Sequence, residues 1–196
     1  MTKMKTIFAV IFLALLIPVL LAAPESEAKV YRGKYANNTK WSYNTKTKTV
    51  TIECCGELPD DGNGSAGWRD YYLKAKKVIF KKGITSIGAG AFDNFQKLEE
   101  VVLPEGLKAI KASAFFSCYR LKKINVPKTL RTIASDVFIA TKIESFSLRR
   151  VKKIGNMCFL DSKIKEVYLS KNCRSSSLVF GGCEKLKKVT LEDGIK

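Results

Sequence analysis

From Ile84 onward the apolar residues recur about every 22 positions, a period in the range that marks stacked supersecondary units. The first unit reads Ile84, Ile87, Ala91-Phe92, Phe95, Leu98, Val101, Leu103. The second keeps the same spacing through Leu107, Ile110, Ala114-Phe115, Cys118, Leu121, Ile124 and Val126. A third runs Leu130, Ile133, Val137-Phe138, Ile143, Phe146, Leu148, and a fourth Val151, Ile154, Cys158-Phe159, Ile164, Val167, Leu169. The fifth is less regular: Cys173, Ser175-Ser176-Ser177, Val179-Phe180, Cys183, Leu186, Val189, Leu191. No single unit of this size can bury its own apolar face, so the units must stack into a solenoid with one continuous core.

The spacing inside a unit predicts its parts. Val101-x-Leu103, Ile124-x-Val126, Phe146-x-Leu148, Val167-x-Leu169 and Val189-x-Leu191 alternate as short strands do, and Val78-x-Phe80 adds one strand ahead of them. Strands that recur once per unit in one direction pair in parallel. Pro104 and Pro127 close their strands, because proline has no N–H for the ladder. The Ala-Phe or Val-Phe pair in mid-unit has roughly helical spacing and predicts one or two helical turns. Phe92, Phe115, Phe138, Phe159 and Phe180 then stack along the interior.

The pattern Ile-x-x-Ile-Gly-x-x-Ala-Phe-x-x-Cys-x-x-Leu-x-x-Ile-x-Leu-Pro, seen over Ile84 to Pro104, Leu107 to Pro127 and Ile154 to Phe159, resembles the BspA-type leucine-rich repeat of bacterial surface and secreted proteins. Trp41-Ser42-Tyr43, Thr49 to Ile52, Leu58-Pro59-Asp60 and Trp68 resemble the N-terminal cap of such arrays. The resemblance implies an α/β leucine-rich repeat solenoid, a right-handed superhelix of parallel strands and short helical turns behind a β-hairpin-like cap. It also implies adhesion or recognition outside the cell. The expected organisation is a signal peptide over 1–28, cap and first strand over 29–82, and about five repeats plus the start of a sixth over 83–196. Three departures stand out. Units three and four are short and lack the Phe95/Cys118 position, which predicts tightening; Cys54-Cys55-Gly56 replaces a small polar run; and the array stops at Ile195-Lys196 without a closing cap.

Lys3 and Lys5, the apolar run Ile7 to Leu21 and Ser26-Glu27-Ala28 read as a secretory signal, cleaved before Lys29 or after Ala22 or Ala23. The run contains Pro18 and is short for a span, so no transmembrane anchor is expected. Cleavage before Lys29 removes two lysines and two glutamates and leaves the net charge at +17. That excess favours anionic partners: wall polymers, acidic glycans, nucleic acid or anionic lipid. Cys118, Cys158, Cys173 and Cys183 fall where other units are apolar and read as buried free thiols. Cys158 with Cys173 or Cys183 is the one bridge that neighbouring rungs leave open.

Catalytic chemistry has little to build on. The chain has no histidine, which removes His-activated nucleophiles and the commonest zinc ligand. Cys54-Cys55 is not a Cys-x-x-Cys motif, and reads as one cap-interior cysteine beside a spare thiol. Asp60-Asp61 with Gly62-Asn63-Gly64 lacks the carboxylate spacing of a calcium loop and reads as a solvated turn. Glu99-Glu100 and Glu192-Asp193 are adjacent, so their side chains diverge. The chain is read as a non-enzyme, with no cofactor and no metal.

The charges are more orderly. Lys97, Arg120, Lys142, Lys163 and Lys185 each precede the apolar residue that leads into a strand, in every unit. Lys108, Arg131, Lys152, Arg174 and Lys196 each follow the first apolar residue of a unit. Stacking makes each set a column of like charge, about 4.8 Å per rung: either a solvated face copied by duplication or an anion-binding stripe. Between the buried strand residues Ile79, Val102, Asn125, Ser147, Tyr168 and Thr190 point outward, with Tyr168 placed to stack on a sugar or side chain. The sequence thus reads as a surface module binding a protein, glycan or anionic polymer. The alternative is a structural element that self-associates weakly through its last rung, where Lys187, Lys188, Glu192 and Asp193 act as charged gatekeepers.

Overall fold

The computed structural model describes residues 27–61 and 64–192, so the signal-peptide reading and Lys196 lie outside the described residues. The cap opens with an antiparallel meander, β1 (Val30–Tyr35), β2 (Thr39–Asn44) and β3 (Thr49–Glu53). After β4 (Gly56–Glu57) a single 3-10 helix, Gly67–Tyr71, leads to β5 (Lys77–Phe80). The meander hands over to the solenoid at β3, which pairs in parallel with β5.

Each coil then contributes two strands to two faces. In chain order these are β6 (Ile84–Ile87), β7 (Glu100–Val102), β8 (Ala109–Ile110), β9 (Lys123–Ile124), β10 (Thr132–Ile133), β11 (Ser145–Leu148), β12 (Lys153–Ile154), β13 (Glu166–Ser170), β14 (Arg174–Ser175) and β15 (Lys188–Glu192). The even-numbered members from β4 to β14 form one unbroken parallel sheet. Its strands, mostly two residues long, were not expected from the sequence, since two residues are too few to show alternation. The odd-numbered members, together with β2 of the cap, form the expected strand face, but in two pieces. One piece is β1-β2-β3-β5-β7-β9 and the other β11-β13-β15.

The mid-unit turns are not helical, which corrects the expectation. Among the described residues no α-helix occurs. Left-handed backbone recurs at fixed places beside each Phe: Gly90 and Asn94, Ser113 and Ser117, Asp136 and Ala140, Met157 and Asp161, Leu178 and Gly182. A left-handed residue breaks the run of right-handed dihedrals that a helix needs. It also turns alternate N–H groups along the solenoid axis. Asp136, Phe138 and Ala140 donate to the carbonyls of Asn156, Cys158 and Leu160, and Met157, Phe159 and Asp161 to those of Ser177, Val179 and Gly181, at 2.8–3.1 Å. The turns therefore form a backbone ladder of their own, which satisfies groups that burial would otherwise penalise.

The phenylalanines stack as the period predicts, with ring centroids 5.9 Å apart for Phe92–Phe115 and Phe115–Phe138, 5.2 Å for Phe138–Phe159 and 5.7 Å for Phe159–Phe180. Trp68 extends the stack by one ring, 5.8 Å from Phe92, and its indole N–H donates to the Ala91 carbonyl at 2.9 Å. Phe92, Phe115, Phe138 and Phe159 are fully buried, which contributes about 1.5–3 kcal/mol for each relative to exposure, and Phe180 at the end of the stack is partly buried.

Units three and four do hold the position of Phe95 and Cys118. Thr141 and Ser162 occupy it, three residues after their phenylalanines and fully buried. Thr141 donates to the Phe138 carbonyl at 3.0 Å, and the Ser162 hydroxyl lies 3.4 Å from the Cys183 thiol. The residue these units lack comes just after, between the buried hydroxyl and Ile143 or Ile164. Cys118 and Cys158 are buried, and burial pushes both thiols up. Cys173 and Cys183 are only half-buried; Cys54 is buried and Cys55 exposed.

Candidate binding surface

The strand registers set the basic residues in order. Lys97, Arg120, Lys142, Lys163 and Lys185 stand three positions before Glu100, Lys123, Ser145, Glu166 and Lys188, the aligned strand residues of the two sheet pieces. Four of the five are exposed and Lys163 is half-buried. Among the described residues only Lys163 has a carboxylate within ion-pair reach, Glu184 at 3.8 Å.

The neighbouring rows behave differently, and the sequence reading missed them. One step before the strands the row is Lys76, Glu99, Lys122, Glu144, Lys165, Lys187, alternating in sign through its first five members. Lys122 sits 3.3 Å from Glu99 and Lys165 2.7 Å from Glu144, and these lysines hold both carboxyls below their usual range. On the next row Lys77 pairs with Glu100 at 2.9 Å. Opposite charges on adjacent rungs attract and like charges repel. These rows carry the same period as the lysine column, so the signal was there to be read.

The second basic column is incomplete. Lys108, Arg131 and Lys152 follow one another, each N–H donating to the preceding member's carbonyl, at 2.9 and 2.7 Å. Arg174 also donates its N–H to the Lys152 carbonyl, at 2.9 Å, but its strand register is with Lys153, not Lys152. The fifth unit starts one residue out of step, and in a strand a one-residue shift reverses the side chain. Arg131 is also turned onto its own loop, donating to the carbonyls of Lys128 and Leu130 at 2.8 and 3.0 Å.

The outward strand row is altered at two places. Tyr168 has one ring face covered by the Arg149 guanidinium, 4.6 Å from the centroid, and Arg149 is held by Glu192 at 2.8 Å. That face is closed to the stacking role expected of it. The Asn125 amide lies against the neighbouring rung: it accepts from the Leu103 N–H at 2.7 Å and donates to the Leu103 carbonyl at 2.8 Å. Val102, Ser147 and Thr190 remain at least partly exposed.

The cap carboxylates are structural. Asp61 is buried, not solvated as expected; it accepts from the Ala66 N–H at 2.9 Å and faces Arg69 at 3.5 Å. Arg69 reaches on to Asp93 and the Gly90 carbonyl, tying the cap to the first repeat. Asp60 accepts from the Ala89 N–H at 2.9 Å and from Lys111 at 3.1 Å, and these bonds hold its carboxyl below the usual range. Among the described residues no group of three or more Asp, Glu, Cys or His side chains is arranged to hold a metal, and no helix is long and apolar enough to cross a membrane.

A model of the BspA type leucine rich repeat region matches residues 70–187 in six copies. Among solved structures, a leucine-rich repeat protein from Eubacterium ventriosum ATCC 27560 is similar with a TM-score of 0.75 at 21% identity, over 84% of this chain and 44% of that one. The T. pallidum leucine rich repeat protein gives a TM-score of 0.60 at 21% identity, over 82% and 78%. A leucine rich cell surface protein from Faecalibacterium prausnitzii A2-165 gives 0.50 at 16%, over 83% and 55%. The chain thus spans less than half the length of the Eubacterium protein, and at these identities the likeness concerns the fold. No curated protein matches the sequence.

Proposed function

Because the chain belongs to the BspA-type leucine-rich repeat family, we propose that it is a non-enzymatic recognition module at or outside the cell surface, binding an anionic macromolecule along the column Lys97, Arg120, Lys142, Lys163 and Lys185. One observation carries the reading. The row from Lys76 to Lys165 alternates in sign and pairs Lys122 with Glu99 and Lys165 with Glu144, and Lys77 pairs with Glu100 on the next row, while the column keeps one sign and, among the described residues, leaves four of its cations without a carboxylate in ion-pair reach. Duplication copies charges everywhere, so it does not account for alternation in one row and uniformity in the next. A column of like charges, spaced about 4.8 Å apart, matches a polymer carrying regularly spaced anions.

The test replaces all five by Gln and compares binding to heparin and to inorganic polyphosphate with a control of equal charge, Gln at Lys34, Lys40, Lys46, Lys81 and Lys82. A site predicts that the column variant loses affinity at least tenfold beyond the control and shows a shallower salt dependence, since fewer counterions are released. Equal losses would leave only generic attraction to a basic surface.

The exposed Leu178, Val189 and Leu191 of the last described rung favour a second reading, self-association through that rung. It predicts concentration-dependent sedimentation without any added partner, abolished by Leu191→Glu.

A further inference from the structure

The strand face opens between β9 and β11. Val101 pairs with Ile124, and Ser145 through Leu148 pair with Glu166 through Leu169, yet β9 and β11 belong to different sheet pieces. Lys123 donates backward to the Glu99 carbonyl at 3.1 Å, so the main-chain groups of Ile124 face forward into the opening. Glu144 accepts from the Lys165 N–H on its far side at 2.9 Å, which turns the main chains of Ser145 and Ser147 back into the same opening. Two strand edges therefore face each other there without a ladder between them.

Asn125 explains why. In a regular parallel ladder its main-chain carbonyl would receive the Leu103 N–H; its side-chain oxygen does so instead, at 2.7 Å. The amide thus replaces the backbone, β9 ends at Ile124, and Pro127 adds no donor. The opening is pinned at one end by the Lys142 N–H on the Leu121 carbonyl, 2.8 Å. It widens into a groove of about 400 Å³ bordered by Val102, Ile124, Asn125 and Ser145. A second hollow of about 230 Å³ continues it past Val126, Ser147 and Arg150. Ile124 and Val126, core positions by their period, are only partly buried as a result.

We infer that this opening is a binding site for an extended acidic polypeptide segment, which pairs its main chain with the free strand edge of β11 or β9. The facing N–H and C=O groups need a partner that offers both at strand spacing, and a polypeptide main chain does so. The rim sets the charge. The side-chain cations of Lys123 and Lys128, which border the two hollows, and of Arg150 have no carboxylate in ion-pair reach among the described residues; Glu105 accepts only from the Lys128 main-chain N–H, at 3.4 Å, and the one acid in the lining, Glu100, is held by Lys77. The half-buried Ile124 and Val126 supply the apolar floor for alternate side chains. No side chain of the basic column is used, since Lys142 contributes only its main-chain N–H, so the site stands or falls independently of the function proposed above.

The probe is a synthetic octapeptide of alternating Glu and Thr, tested against the chain by fluorescence anisotropy. Strand pairing uses alternate residues, so N-methylating one alternate set of its amides weakens binding at least tenfold while methylating the other set changes it little. Hydrogen exchange of the wild-type chain shows new protection at the Ser145 and Ser147 amides, or at Ile124, when the peptide is added. Ser145→Trp, which fills the groove, abolishes binding, and the five-Gln column variant keeps it. The inference is overturned if the peptide does not bind, if both methylated peptides bind as well as the parent, or if bound peptide protects none of the three amides. The exchange result needs no variant, so it decides the matter even if Ser145→Trp fails to fold.

Discussion

The turn side and the strand side of this solenoid share one period and differ in continuity. On the turn side the aromatic stack runs from Trp68 to Phe180 without a gap, and adjacent turns are tied by backbone bonds. On the strand side the sheet parts after the second full repeat. The fold tolerates the parting because the turn ladder and the sheet from β4 to β14 still carry every rung. A repeat architecture distributes its stability among nearest-neighbour contacts, so one face can be released for binding while the other two hold the stack.

The largest expected effect tests that division. Phe138→Ala removes a fully buried ring from the middle of the continuous side and should cost about 3 to 5 kcal/mol, seen as a lower denaturant midpoint. Ile124→Ala, at the open joint, should cost about 1 kcal/mol because the side chain is already partly exposed. Equal losses would erase the contrast between the two sides.

A smaller effect sharpens it at the cap. A Cβ on Gly88 would lie 2.0 Å from the Pro59 carbonyl oxygen, so Gly88→Ala must push the cap away from the first repeat. The expected cost is about 1 to 3 kcal/mol, read as earlier melting of the cap's aromatic signal. Coincident, unshifted transitions would mean that this contact adds nothing.

The smallest effect is one of pH. Asp60 is held below its usual range by the Ala89 N–H and Lys111. A depressed folded-state pKa gives stability that is present above the ordinary aspartate value and lost as pH falls through the folded one. Asp60→Ala should therefore lower the midpoint slightly at neutral pH and converge with the parent as pH falls below the ordinary aspartate range. A constant difference across that range would point to packing instead of charge.

The residues that point inward were the legible ones. The phenylalanine column follows from the period alone, because every unit must fill the same interior slot. Trp68 escaped because the cap does not repeat, so no register ties it to Phe92. Thr141 and Ser162 were passed over because a polar residue looks absent from an apolar pattern, although a hydroxyl bonded to a carbonyl fits a buried slot. The helical turns were misread because Ala-Phe and Val-Phe pairs at that spacing suit a helix as well as a turn. Only the recurrence of Asn, Ser, Asp or Gly beside them hinted at left-handed backbone. Arg174 was misplaced because the Ser175 to Ser177 run leaves the fifth unit without an apolar anchor for its register. Asn125 counted as one more outward side chain, and nothing in its letter shows that its amide stands in for the ladder.

Native-state hydrogen exchange of the unliganded chain tests the contrast most directly, since it reads each amide separately. The Phe138 and Phe159 N–H groups, bonded at 2.8 and 2.9 Å to the carbonyls of Cys158 and Val179, should exchange only through global unfolding. The amides of Ile124, Ser145 and Ser147 should exchange orders of magnitude faster, by way of the native state. Protection of those three equal to that of Phe138 would mean that the strand ladder is closed and the opening between the second and third units does not exist.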